Sequence, residues 1–318
     1  MSTDFSHTAR VTRADQITPL IKNFSFERVD GKPFGPFSAG SHAVIGMHDG
    51  SESYKNPYSL VGSSNNFMEY QIAVRLESNG RGGSLFMHNN VEVGTELEIG
   101  NPFNLFPVYK PAKKHLMLAG GVGITPFMAY IDEMDLMSSN FELHYSIRDF
   151  EHGAFAKELK KKYPEQVKLY VQADDVIANF NTILNSQPLG THVYVCGPHQ
   201  MVGDVLRIAD DLGWPTTSIH SEEFKAPDPG NPFTVTLAKS HCEINVRARE
   251  SLLEALEQAN VEIPYSCRGG ACGFCKTEVI NGEIDHRDYY LTDAEKASGK
   301  CIMPCISRAQ GDHLTLDI

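Results

Sequence analysis

The rhythm of apolar and polar positions changes twice along this chain. Up to about residue 109 it has the two-residue period of sheet. SHAVIGM (41–47) and EYQIAVRLE (69–77) place an apolar side chain at nearly every second position. Asp30-Gly31, Asp49-Gly50 and Asn79-Gly80 separate the runs and mark tight turns. An antiparallel barrel or sandwich is expected over 1–109. From 110 to about 224 the strands become short continuous apolar runs: KHLMLAG (114–120), ELHYSI (142–147), KLYVQ (168–172) and THVYVCG (191–197). Helical stretches near 126–138, 153–162 and 198–212 lie between them, which predicts a parallel sheet with flanking helices. EEFKAPDPGNPF (222–233) holds three prolines and a glycine and reads as a linker, centred on 225–232. Beyond it, FTVTLA and EINVRA predict a hairpin. SLLEALEQA (251–259) predicts a short helix with Ser251 as N-cap, and a cysteine-rich loop follows. The fold class is therefore multi-domain: a β-barrel (1–109), an α/β domain (110–224), a linker and a C-terminal α+β domain (233–318).

Bulk properties narrow the chemistry. At 318 residues the chain suits two or three domains. No apolar run approaches the ~20 residues of a membrane helix. The stretch MSTDFSHTARVTRADQ has no apolar core of the kind a secretory signal carries, so a cytoplasmic location is expected. Lys and Arg number 28 against 40 Asp and Glu, a net charge of −12, which argues against nucleic acid as a partner. Seven cysteines in such a chain do not suggest disulfides.

Four of those cysteines have a specific spacing. Cys267, Cys272 and Cys275 form C-x4-C-x2-C, and Cys305 follows at a distance, the arrangement of a plant-type [2Fe–2S] site. Three thiolates on one short loop can face one point. Gly269, Gly270 and Gly273 let backbone N–H groups approach the sulfurs. Four cysteines also suit zinc, but zinc sites usually pair two C-x2-4-C units, and here the division is three plus one. Cys301 is an alternative fourth ligand. Cys196, Cys242 and Cys301 otherwise read as small core residues.

Two glycine loops lie upstream. Asn79-Gly80-Arg81-Gly82-Gly83-Ser84 follows a strand and precedes the helical SLFMHNN. Its N–H groups and the Ser84 hydroxyl suit a phosphate, with charge from Arg75 or Arg81. The plain alternative is a turn between strand and helix. Ala119-Gly120-Gly121-Val122-Gly123-Ile124-Thr125-Pro126 also leaves a strand and opens a helix, with Pro126 in its first turn. This is not G-x-G-x-x-G, because Pro126 stands where the third glycine would be. Cys196-Gly197-Pro198 ends another apolar strand.

In the order barrel, nucleotide domain, cysteine domain, the whole chain resembles the phthalate dioxygenase reductase family, and 233–318 resembles a plant-type ferredoxin. The resemblance implies an NADH-dependent iron–sulfur flavoprotein that carries electrons from NADH through FMN and [2Fe–2S] to a Rieske-type oxygenase. It implies that Tyr58 and Ser59 contact the flavin and that Ala73 and Val74 pack their backbone against its ring. It places Arg75, Arg81, Gly82, Gly83 and Ser84 at its phosphate. Asn56 departs from the family's R-x-Y-S motif, so phosphate charge must be met elsewhere. Gly120, Gly121, Gly123, Thr125 and Pro126 are implied at the nicotinamide cofactor, with Cys196, Gly197 and Pro198 beside the nicotinamide and Phe224 over the flavin; a core phenylalanine is the alternative for Phe224. Arg148 suits the 2′-phosphate of NADPH and Asp149 the free ribose of NADH, and the family favours NADH. No acid–base catalyst is required for hydride transfer. SYKNPYSL, NLFP (104–107) and LHYSIRD resemble the carnitine monooxygenase reductase branch, with vanillate demethylase and phthalate dioxygenase reductases as the alternative branches. A zinc-stabilised binding module or simple electron carrier would need neither glycine loop. A stand-alone flavin reductase or haemoglobin-type reductase would need no cysteine domain.

Overall fold

The computed structural model describes residues 7–48, 50, 53–224 and 229–318. Asp49 of the expected Asp49-Gly50 turn, and 225–228 of the expected linker, lie outside the described residues. Contacts group the described chain into two compact units. One is His7–Ser78 with Gly82–Phe224; the other is the C-terminal segment together with Asn79–Arg81.

The first unit holds two sheets. Strands β1 (His7–Thr18), β2 (Ile21–Arg28), β3 (Ser41–His48), β4 (Ser53–Ser59) and β5 (Tyr70–Arg75) are followed by helix α1 (Gly83–Asn90), β6 (Glu96–Ile99) and β7 (Phe103–Asn104). They pair antiparallel in the order β4-β3-β6-β1-β2-β5, with β7 beside β3. A bridge from Leu60 to Ile72 joins the two ends, so the sheet closes into a barrel and hides its edges. The inward positions, among them Phe24, Phe26, Ile45, Ile72 and Val74, form the barrel core.

Then come β8 (Lys114–Gly120), α2 (Thr125–Leu136), β9 (Phe141–Ile147), α3 (Ala156–Lys162), β10 (Val167–Val171), α4 (Phe180–Asn185), β11 (Thr191–Cys196), α5 (His199–Asp211) and β12 (Ile219–Glu222). All five strands run parallel, in the order β10-β9-β8-β11-β12. β8 shows why its sequence is apolar throughout. Leu116 and Leu118 enter one core with Val193, Val202 and Val205, while Met117 and Ala119 enter the opposite core with Phe127, Leu143 and Tyr145. A strand covered on both faces cannot alternate. On α5, Val202, Val205 and Ala209 lie on one stripe and turn inward. The expected boundary near 110 falls between β7 and β8, yet bonds cross it. Glu133 Oε2 accepts from Ala39 N (3.1 Å), and Ser63 Oγ donates to Asp132 (2.6 Å). Helix α4 and strand β12 were not among the expected elements, being only 6 and 4 residues long.

The C-terminal unit contains β13 (Phe233–Leu237), β14 (Cys242–Val246), α6 (Leu252–Gln258), β15 (Thr277–Asn281), β16 (Ile284–Asp285), α7 (Asp293–Ser298), β17 (Cys301–Ile302), β18 (Arg308–Ala309) and β19 (His313–Leu316). β13 and β14 form the expected hairpin. β13 also pairs parallel with β19, giving the mixed order β14-β13-β19-β15-β17, while β16 and β18 form a separate ribbon. Alternation on β13 buries Phe233, Val235 and Leu237 beneath Leu252, Leu253 and Leu256 of α6. Ser251 caps α6 as expected, and its partner is Glu254: Ser251 Oγ accepts from Glu254 N, while the Glu254 carboxylate accepts from Ser251 N.

Candidate functional site

The cysteine loop folds around its own glycines. Gly270 and Gly273 have φ of +77° and +80°, and a Cβ on Gly273 would lie 2.2 Å from the Tyr290 ring. Arg268 also adopts a positive φ, +51°. Its buried guanidinium donates to both oxygens of Glu257 on α6 (3.1 and 2.8 Å) and lies over the Tyr265 ring. Gly269 N donates to Cys267 Sγ (3.4 Å). The Cys272 thiol and, against the effect of burial, the N–H groups of Gly269, Ala271 and Cys272 pull the Cys267 thiol below its usual range. That favours the thiolate, the ligating form.

The four sulfurs meet as two pairs. Cys267 contacts Cys272, and Cys275 contacts Cys305. Among the described residues no three His, Cys, Asp or Glu side chains converge as they would around a single metal ion. Zinc needs all four sulfurs around one centre. In a [2Fe–2S] cluster each iron takes two protein sulfurs, so two pairs fit that cluster. Cys305 rather than Cys301 partners Cys275, and Cys301 lies opposite Glu278 in the β15–β17 pairing. Cys275 and Cys305 are buried, while Phe274 beside Cys272 is 53% exposed. Replacing Arg268 by alanine leaves Glu257 without its buried partner. The expected loss is about 2–3 kcal/mol, below the ~3–5 of a fully buried pair because Glu257 is itself 20% exposed. Thermal unfolding followed at the cluster's visible absorbance measures it; an unchanged midpoint contradicts the assignment.

At the barrel, the loop after β5 is shaped by its neighbours. Gly82 has φ +109°, and a Cβ there would lie 2.7 Å from the Tyr54 ring; one on Gly83 would lie 2.4 Å from Asn56 Nδ2. Helix α1 begins here with no side-chain cap and no acidic residue in its first turn, so its first N–H groups are open to an anion. This cradle fits a phosphate. Ser84 Oγ accepts from Glu77 N (3.1 Å) and keeps its own proton to donate. Asn56 Nδ2 donates to the Tyr58 hydroxyl (3.2 Å), and Ser59 is buried at the end of β4. The expected charge compensation differs. Arg75 pairs with Glu77 (3.2 Å), and Arg81 pairs with Glu254 (2.7 Å), the residue that also completes the Ser251 cap. Each arginine thus has a carboxylate beside it, and the helix amides are phosphate donors that the fold supplies without them.

The nicotinamide residues gather where the parallel sheet reverses its order, between β8 and β11, at the carboxyl ends of the strands. Gly120 and Gly123 pack directly on Cys196-Gly197-Pro198. A Cβ on Gly123 would lie 2.2 Å from the Cys196 carbonyl oxygen, and one on Gly120 would lie 2.6 Å from Met201 Sδ. Gly121 has φ +55°, and its carbonyl accepts from the Tyr145 hydroxyl (3.0 Å). Thr125 is buried and donates to Val122 O (3.0 Å); Pro126 occupies the first turn of α2. Ala73 of β5 lies in the same buried cluster as Ala119 and Cys196, with Val74 beside it in the barrel core. Cys196 is fully buried, and burial pushes its thiol well up, so it is neutral. Arg148 is exposed at the end of β9 and has no ion-pair partner among the described residues. Asp149 instead caps its own turn, accepting from Glu151 N, His152 N and His152 Nδ1. Those bonds fall mainly on Oδ1, and Oδ2, which meets only His152 Nδ1 (2.9 Å), keeps accepting capacity. Phe224 is 47% exposed, which excludes the core alternative.

One residue of this site was not anticipated. Glu222 ends β12 directly beside Cys196 in register. Its Oε2 is enclosed without a hydrogen-bond partner, and burial pushes the carboxyl up to about 8. No sequence signal marks it, because β12 itself is too short to recognise. The sign follows from proton binding. Between the unfolded value near 4.5 and about 8, the folded chain holds a proton that the unfolded chain releases, so stability falls as pH rises across that window. Glu222→Gln is expected to flatten this slope and to raise the unfolding temperature above pH 8. Thermal unfolding from pH 5 to 9 checks it, and an unaltered slope counts against a buried neutral carboxyl.

Comparison with known proteins places this geometry. A solved structure of phthalate dioxygenase reductase, described as modular for electron transfer from pyridine nucleotides to [2Fe–2S], superposes with a TM-score of 0.89 at 34% identity, covering 100% of both chains. The chain belongs to the phthalate dioxygenase reductase family. This family is one of oxidoreductases, and residues 235–310 match the 2Fe-2S iron-sulfur cluster binding domain. Residues 102–219 match the family of dimethylamine monooxygenase subunit DmmA-like N-terminal domains. The carnitine monooxygenase reductase subunit of Acinetobacter baumannii is 44% identical over 98% of this chain and 97% of its own. The heme-dependent oxidative N-demethylase beta subunit of Ectopseudomonas mendocina is 40% identical over 97% of this chain and 98% of its own. No helix among the described residues is long and apolar enough to cross a membrane.

Proposed function

We propose that this chain is the NADH-dependent reductase component of a two-component Rieske-type oxygenase system, carnitine monooxygenase, acting in the cytoplasm. The observation that carries the reading is the combination, on one chain, of a glycine cradle at a strand-order reversal and a cage of four cysteines split into two pairs. Bound FMN and [2Fe–2S] would supply the conversion of one hydride into two electrons that leave singly.

The residues do the positioning. Gly82, Gly83, Ser84 and the first amides of α1 hold the flavin phosphate, and Tyr58, Ser59, Ala73 and Val74 border its ring. Gly120, Gly121 and Gly123 admit the pyrophosphate of NADH at the start of α2, where the helix end favours negative charge. Thr125 and Pro126 fix that helix start, and Asp149, beside Arg148, faces the free ribose of NADH. Buried Cys196 and the enclosed Glu222 Oε2 form a neutral floor for the nicotinamide, with half-buried Gly197 and exposed Pro198 beside it and Phe224 at its rim. Gly197 leaves room that a side chain would fill. The protein's contribution is proximity and orientation rather than proton transfer. Cys267, Cys272, Cys275 and Cys305 ligate the iron.

Anaerobic titration of the purified chain with NADH, followed optically, tests the first half; the visible bands of flavin and cluster should bleach in sequence. Addition of the oxygenase component of carnitine monooxygenase, then of vanillate demethylase, phthalate dioxygenase and a haem N-demethylase, tests the second. Turnover with the carnitine enzyme at the highest rate supports the reading. Turnover confined to the haem enzyme, which the relative from Ectopseudomonas mendocina makes a specific rival, overturns it.

A further inference from the structure

Helix α2 carries more than the nucleotide cradle. Its first residue, Thr125, ties back to the glycine loop, and three side chains farther along reach the barrel side of the same compact unit. Glu133 is 9% exposed. Its Oε2 accepts from Ala39 N (3.1 Å), and its Oε1 pairs with Lys110 Nζ (2.7 Å) on the segment between β7 and β8. Asp132 Oδ2 accepts from Ser63 Oγ (2.6 Å), and the buried Tyr130 hydroxyl donates to Phe106 O (2.5 Å). Gly40 makes this close approach possible. Its φ is +89°, and a Cβ there would lie 1.9 Å from Phe106 O and 2.9 Å from the Tyr130 ring. A buried carboxylate is costly to leave unpaired, so Glu133 holds the contact closed.

These ties reach the parts of the barrel that border the flavin residues. Ala39 lies just before β3, and Ser63 lies just after Ser59, the last residue of β4. Ala39, Ala73 and Phe106 share one buried cluster with Ile124, Phe127 and Tyr130. Thr125 and Glu133 stand on one helix, about 12 Å apart along its axis. A helix that short moves as a rigid bar, so a shift at the Glu133 end displaces the cradle at the other. Hydride transfer needs the nicotinamide, carried by the α/β sheet, in fixed relation to the flavin ring, carried by the barrel. We propose that Glu133, supported by Asp132 and Tyr130, is a positioning residue for hydride transfer: it locks α2, and with it the nucleotide held at its start, onto the barrel that holds the flavin. The proposal rests on the reading above of where NADH and FMN bind. Glu133 acts through the helix and the Ala39 backbone, not on the reacting atoms.

The test uses the full-length protein with flavin and cluster bound. Glu133→Ala removes both bonds of the carboxylate; Ser63→Ala, on a half-buried loop, removes one tie and spares the helix. Stopped-flow bleaching of the flavin band by NADH is expected to slow by about 10–100-fold in Glu133→Ala, the scale that a misplacement of about 1 Å costs an orientation-dependent step, and less in Ser63→Ala. Calorimetric affinity for NAD+ is expected to stay within about twofold, because the glycine cradle is intact. The long-wavelength charge-transfer absorbance of dithionite-reduced protein mixed with NAD+ requires the two rings to overlap, and it is expected to weaken in the same order. Glu133→Gln keeps an acceptor for Ala39 N and is expected to recover most of that absorbance. A merely stabilising role would lower the unfolding temperature and leave bleaching rate and absorbance unaltered in the folded protein. Unaltered rate and absorbance in folded Glu133→Ala, or in Ser63→Ala where the first does not fold, overturns the positioning role, as does an affinity for NAD+ that falls as far as the rate. An unsubstituted chain that NADH fails to bleach overturns instead the reading of the cofactor sites, and this proposal with it.

Discussion

Cys305→Ser protein is expected to accept reducing equivalents from NADH as fast as the unaltered chain and to deliver none to an oxygenase or to cytochrome c. Cys305 supplies one half of the second sulfur pair, and its partner Cys275 sits in the same enclosed core. Serine oxygen is a harder and poorer ligand for iron than thiolate sulfur. Nothing in the nucleotide loop or the barrel depends on it, because Cys305 belongs to the other compact unit. The measurement is paired: stopped-flow bleaching at the flavin band by NADH, and steady-state cytochrome c reduction. Retained cytochrome reduction at the unaltered rate would sink the relay. The same substitution at Cys301 is the control and leaves both signals in place, since Cys301 is engaged in the β15–β17 pairing rather than in a sulfur pair.

The second large effect falls on Gly123. A Cβ there would sit 2.2 Å from the Cys196 carbonyl oxygen and 2.8 Å from Gly197 N, which are backbone atoms and cannot swing aside. Gly123→Ala must therefore push apart the two strand ends that form the nicotinamide floor. A displacement of this kind costs about 100-fold in a reaction that relies on orientation. NADH-driven reduction should fall by that order, while dithionite still reduces the cluster at the normal rate. Normal NADH kinetics in a folded Gly123→Ala protein would mean that the floor lies elsewhere.

How much of this was readable from residues alone differs by site. Cysteine spacing is a covalent constraint, so Cys267, Cys272, Cys275 and Cys305 are legible, as are the glycines that must approach a backbone. The continuous apolar run of β8 announces a strand covered on both faces. What escaped depends on elements far apart in the chain. Glu222 gains its enclosed carboxyl only because β12 lies beside β11. Arg81 reads as a phosphate ligand in its glycine loop, yet Glu254, distant in sequence, engages it. Charged side chains choose partners through space, and local spacing does not encode that choice.

The division of the sulfurs also bears on how the protein is made. Cys267 and Cys272 lie on one short loop, whereas Cys275 must wait for Cys305, which leaves the ribosome much later. Iron delivered to the nascent chain would find half a cage. Complete loading is therefore deferred until the segment between β17 and β18 exists, and truncation just before Cys305 should yield protein that purifies colourless in the iron bands.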